Sequence, residues 1–173
     1  VRTLYLDPGT FASYGVVLDG LEIVEVLVDD NFAILESIPH RCSKLVIEGI
    51  TPQSAAGTEL FQTIWWSGRF CQSAISFEIV NRVDVKKFFK ALSQYDGNMT
   101  DTLIKNAIKE NYPDNAKEYE KVLRGKPDCW QALALALAYQ SGTRSKPPTE
   151  VIQAAKERIA KKRAKTRLAK GEQ

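Results

Sequence analysis

Two short apolar runs each end on an acid followed by a sharp break, and this repeated pattern constrains the chain more than any other feature. Leu4-Tyr5-Leu6-Asp7 runs into Pro8-Gly9-Thr10, and Lys44-Leu45-Val46-Ile47-Glu48 runs into Gly49. An apolar β-run that closes on Asp-Pro-Gly carries a carboxylate to the tip of a buried strand and turns the backbone behind it. A third acid, Asp128, stands just before the helical run Ala132-Leu133-Ala134-Leu135-Ala136-Leu137. Three carboxylates delivered by two strand tips and a helix start can converge on one divalent-cation site. Two of them also have ordinary readings: Asp7 can cap the turn it precedes, and Asp128 can be a helix N-terminal acid favoured by the dipole. Glu48 is harder to explain that way, because a Glu at the tip of a central strand needs a partner.

The surrounding pattern predicts the scaffold. Residues 13–18 and 21–28 read as strands joined at Asp19-Gly20, a strong hairpin signal, so the first three strands form an antiparallel meander. A short helix over 31–38, ending at Pro39, leads by a crossover to a fourth strand at 44–48, parallel to the first. A helix over 57–74 and a fifth strand at 77–80 follow. Beyond them the pattern is helical, over 84–92, 100–111, 116–123, 128–139 and 150–169. The chain is therefore expected to be α/β: a five-stranded mixed sheet flanked by helices. Asp7 and Glu48 then emerge side by side at the sheet end where open α/β sheets bind ligands.

In the helix over 57–74, Leu60, Ile64, Cys71, Ala74 and Ile75 form the stripe expected to face the core. Phe61, Trp65, Trp66 and Phe70 fall outside or at the margin of it. They either pack under neighbouring helices or make a self-complementary dimer contact.

Composition narrows the chemistry. A chain of 173 residues is one domain by size. No apolar run approaches the ~20 residues of a membrane span, and no signal-peptide pattern opens the chain, so a cytoplasmic location is expected. Val1 in place of an initiator methionine points to processing or trimming of that end. The three cysteines, Cys42, Cys71 and Cys129, share no ligand spacing and read as reduced thiols. A single histidine, His40, removes His-based zinc sites. A metal here must be held by oxygen, which suits Mg²⁺ or Mn²⁺. Residues 151–173 carry eight Lys/Arg against two acids, a local +6, and the first 150 residues carry −3. An acidic body with a basic tail suggests a polyanionic partner, although solvated tails of this kind are common.

At this point the residues resemble a known family. Leu-Asp-Pro-Gly-Thr at 6–10, Val-Ile-Glu-Gly at 46–49 and Asp-Cys-Trp-Gln-Ala-Leu-Ala-Leu-Ala-Leu at 128–137 look like the three blocks of RuvC-type Holliday-junction resolvases, which are ribonuclease-H-like, retroviral-integrase-like nucleases. The likeness runs in order over residues 1–140. Gly57-x-Glu59-x-Phe61 with Ile64-Trp65-x-x-Gly68-Arg69-Phe70, and Arg82-x-Asp84-Val85-Lys86, resemble the phage-encoded branch. The resemblance implies a homodimer that binds four-way DNA junctions and makes paired nicks in a Mg²⁺-dependent reaction. Asp7, Glu48 and Asp128 would be the catalytic and metal-binding acids. The family's fourth acid is replaced here by Gln131, one helical turn beyond Asp128, which can ligate through its carbonyl oxygen but adds no charge.

Basic residues supply an expected DNA footprint: Arg82, Lys86 and Lys90 at i, i+4 and i+8 with Lys87 alongside, and the pair Lys105 and Lys109. Such rows are also ordinary solvated helix faces. Gln53 and Ser54, in the loop after Glu48, are expected to hydrogen-bond phosphates. The organisation expected is a resolvase domain over 1–148 and a basic helix or tail over 149–173 that lies on DNA. Two rivals stand beside this reading. One is a non-catalytic nucleic-acid-binding module on the same fold, suggested by Gln131. The other is an actin-like phosphotransferase, which shares Asp-x-Gly-Thr but needs a second phosphate loop and domain that this length does not supply. The acids alone do not distinguish DNA from RNA.

Overall fold

The computed structural model describes residues 2–50, 57–145 and 157. Gln53, Ser54, the boundary expected near 148 and the basic tail lie outside these residues, Glu157 excepted.

Five strands form one sheet in the order β3-β2-β1-β4-β5: β1 Thr3–Asp7, β2 Ala12–Asp19, β3 Glu22–Asp30, β4 Lys44–Gly49 and β5 Phe77–Asn81. β1, β2 and β3 are an antiparallel meander, and β4 lies parallel to both β1 and β5. The β2–β3 turn is Gly20-Leu21, between the paired residues Asp19 and Glu22, with Gly20 at φ +60°. Two helices interrupt the strands, α1 Asn31–Arg41 and α2 Thr58–Ser73. Among the described residues four complete helices follow β5: α3 Arg82–Leu92, α4 Asp101–Asn111, α5 Pro113–Val122 and α6 Cys129–Gln140.

The two-residue period of the strands divides the core. Leu4, Leu6, Leu45 and Ile47 point to one face and pack with Ile34 and Ile38 of α1 and with Trp66 and Phe70 of α2. Tyr5, Val46 and Val80 point to the other, against α3, α4, α5 and α6. α6 has no polar stripe: every residue from Cys129 to Tyr139 is buried. A helix of that composition has to be enclosed on all sides, here by the sheet and the α3–α5 layer. The fully buried Tyr119 of α5 donates its hydroxyl to the Leu21 carbonyl at 2.8 Å, pinning this layer to the hairpin.

Two expectations are corrected. α1 does not stop at Pro39 but runs to Arg41. Asp30 caps its start by accepting from the Phe32 and Ala33 amides, and near its end Pro39 forfeits only one donor. α2 is also rotated from its expected setting. Its buried residues are Thr63, Trp66, Phe70 and Cys71, while Ile64 and Trp65 face solvent and Ile75, beyond the helix, is exposed too. The helix is apolar on two sides, and the side carrying Trp66 and Phe70 took the core while Phe61 and Trp65 stayed outside.

Candidate functional site

The acids are positioned by strand phase. Tyr5 and Val46 face α6, so two residues on, Asp7 and Glu48 face α6 as well. Leu6 pairs with Ile47 in the parallel β1–β4 register, and continuing it by one residue brings Asp7 beside Glu48. Glu48 is only 4% exposed. Asp128 immediately precedes α6 on this face, itself exposed, and Gln131 is buried one turn further on.

Sequence and packing fix the turn behind Asp7. Gly9 is obligatory, because a Cβ there would sit 2.2 Å from the Ala12 carbonyl oxygen. The buried Ser13 hydroxyl donates to Asn31 Oδ1 at 2.6 Å, and Asn31 Nδ2 donates to the Gly9 carbonyl at 3.0 Å. Thr10 and Thr63 hydroxyls meet at 3.3 Å, tying the turn to α2. Behind Glu48, a Cβ on Gly49 would meet Asn81 Oδ1 at 2.6 Å and Ile79 Cγ2 at 2.7 Å, so a larger residue there would have to displace side chains of β5.

Electrostatics mark the site as strained. Burial pushes the Asp7 carboxyl up to about 8, and the neighbouring Glu48 adds to the rise, with smaller contributions from Asp128 and Asp101. Burial raises Glu48 too, opposed chiefly by Arg82. The Tyr14 hydroxyl, on the strand position opposite Asp7, is raised by burial and then by the Asp128 carboxylate. Asp7 thus lies within reach of the charge of both Glu48 and Asp128. They do not form a closed cage: among the described residues no three His, Cys, Asp or Glu side chains are gathered tightly enough to hold a metal ion. Arg82 provides the counter-charge instead, its Nη1 donating to Glu48 Oε1 at 2.8 Å and its Nη2 to Asp101 Oδ1 at 2.7 Å. The donor set nonetheless fits a hard divalent cation. It is all oxygen, and its buried like charges are favourable together only around positive charge.

The predicted basic residues separate into two groups. Arg82, Lys86, Lys87 and Lys90 line one cleft of 430 Å³ that reaches Glu48 and is also lined by Asn98 and Met99. Lys87 also pairs with Asp84 at 3.0 Å, and Lys90 donates to the Asp96 carbonyl at 2.7 Å. Lys105 and Lys109 are elsewhere: Lys105 lies 4.7 Å from the Trp130 ring centroid, in a second cleft, and Lys109 is paired with Glu120. Sequence reasoning missed Asp101, whose only local signal was its place after Thr100, the cap of α4.

This sheet order, with a buried helix bearing on two strand-tip acids, is a ribonuclease-H-like fold of the RuvC type. A solved structure of Thermus thermophilus RuvC matches with a TM-score of 0.58 at 15% identity, covering 83% of this chain and 98% of that one. T. thermophilus RuvC in complex with a Holliday-junction substrate matches with a TM-score of 0.53 at 13% identity, covering 83% and 97%. No protein-family model matches the chain, and no curated protein matches it in sequence.

Proposed function

We propose that this chain is a metal-dependent, structure-selective endonuclease that resolves four-way and other branched DNA by paired nicks. One observation carries the reading: Asp7 and buried Glu48 stand side by side facing α6 and Asp128, at the end of a cleft lined by Arg82, Lys86, Lys87 and Lys90. The likeness in fold to a protein solved with a Holliday junction supports the substrate class.

In this reading Asp7, Glu48 and Asp128 hold the cation, and Gln131 contributes a carbonyl oxygen. A bound Mg²⁺ or Mn²⁺ would supply an activated water and neutralise charge developing on the phosphate. The rigid turn at Gly9 keeps the Asp7 carboxyl in place. The lysines of the cleft track backbone phosphates, so selection rests on branch geometry rather than base identity. Lys105, Lys109, Gln53, Ser54 and the basic residues of 149–173 extend the DNA footprint, with 1–148 as the nuclease domain. Phe61, Ile64, Trp65 and Gly68 make a second apolar stripe on α2 at i, i+3, i+4 and i+7, suited to a homodimer contact that spaces two active sites for paired cuts. The setting is the cytoplasm of a bacterium or a phage-infected cell, with the phage-encoded branch as the nearer relation.

A second reading, a DNA-binding module without activity, draws on the Arg82–Glu48 pair and on Gln131. Incubation with a labelled four-way junction, a fork and a linear duplex separates the two, run without metal and with Mg²⁺ or Mn²⁺. The nuclease reading expects metal-dependent nicks at the branch and an intact duplex. Junction binding with no nicks in either metal supports the second.

A further inference from the structure

Arg82 stands first in α3, directly after Asn81, which is paired with Gly49, so its backbone is held beside the tip of β4. Its guanidinium is divided between two acids of opposite character. Glu48 is 4% exposed and depends on Arg82 for its charge balance, whereas the Asp101 side chain is 57% exposed and is stabilised by water as well. Arg82 itself is one-third exposed, with room to move toward the cleft it lines. We propose that Arg82 is a built-in competitor for the metal position. It neutralises Glu48 in the metal-free chain, is displaced from Glu48 by a divalent cation, and is retained at the site by Asp101. This rests on the reading of Glu48 as a metal ligand.

Repulsion favours the exchange. Arg82 holds Oε1 of Glu48, so a dication on this buried carboxylate, even on its other oxygen, would lie a few ångströms from the guanidinium where charge is weakly screened. Arg82 is thereby pushed off Glu48 when the ion arrives, and the fork that already touches Asp101 lets it leave by rotating rather than by entering water as a free charge. Asp101 holds Arg82 but does not approach the ion; it is a positioning residue. Lys86 also bears on Glu48, but only through space.

The test is Mg²⁺ binding by the full chain without DNA, measured by calorimetry and by the Mg²⁺-dependent rise in melting temperature. Arg82→Gln should tighten Mg²⁺ binding on the order of tenfold by removing the competitor, and clearly more than Lys86→Gln, which removes the same charge without the direct bond. Asp101→Asn should weaken it, because Arg82 then belongs wholly to Glu48. In the double variant most of the Asp101→Asn penalty should vanish, leaving only the small part that comes from Asp101's own charge on Asp7 and Glu48. Additive effects of the two substitutions, or an Arg82→Gln effect no greater than that of Lys86→Gln, would overturn the proposal. If Arg82→Gln does not fold, Asp101→Asn still decides, because unchanged or tighter binding sinks it. A wild-type chain that binds no Mg²⁺ removes the metal reading itself, an outcome distinct from wild-type binding that is indifferent to Arg82.

Discussion

At the scale of residues, Asp7 is held where its negative charge is disfavoured, by burial first and by Glu48 second. Its folded value of about 8 lies above the ordinary carboxylate value, so between about 4 and 8 the folded chain binds a proton that the unfolded chain has lost. Stability from this group is therefore full in acid and falls as pH rises through that window. The metal-free protein should melt at lower temperature at pH 8 than at pH 5.5, and Asp7→Asn should remove much of the difference, raising the pH 8 midpoint by about 3 °C or more. Thermal melts in chelator at the two pH values check this. Asn31, buried between Ser13 and the Gly9 carbonyl, carries a different load. Asn31→Ala takes the partner from the buried Ser13 hydroxyl and from the half-buried Gly9 carbonyl, and should cost about 1–3 kcal/mol in denaturant unfolding.

At the scale of elements, α2 is the segment with two apolar faces. Trp66 and Phe70 are enclosed against α1 and the sheet, while Trp65 is 52% exposed and Phe61 more so. Trp65→Glu should therefore leave folding almost untouched and convert a dimer to a monomer in sedimentation or light scattering. A wild-type chain already monomeric would remove the stripe from the account. The same helix shows where sequence reading reaches its limit. Strands β1 and β4 were legible because a short continuous apolar run closed by an acid and a break suits a strand buried on both faces, and their parallel pairing followed from the crossover. The α2 sequence admits two helical settings, and which aromatic side turns inward is decided by Ile34, Ile38 and Phe32 of α1, which local periodicity does not contain. The Arg82–Glu48–Asp101 link was illegible for the same reason: it joins β4, the start of α3 and the start of α4, and each residue alone looks ordinary.

At the scale of the whole molecule, the sheet separates the two proposed roles. One face is closed by α1 and α2 and leaves the second stripe of α2 exposed, where the proposed dimer contact falls. The other encloses α6 and opens, at one end, onto the acids and the basic cleft. DNA held mainly through phosphates should show steep salt dependence. Replacing Lys86, Lys87 and Lys90 together with Gln should flatten the slope of log affinity against log salt by about 2 to 3, whatever the sequence of the DNA. Filter binding across a salt series measures it. The central claim is that the carboxyl at the tip of β1 serves chemistry rather than architecture. Its most direct test is Asp7→Asn with a labelled four-way junction in Mg²⁺. The account predicts binding within a few-fold of wild type and cleavage lower by about 10² or more; cleavage at the wild-type rate would contradict it.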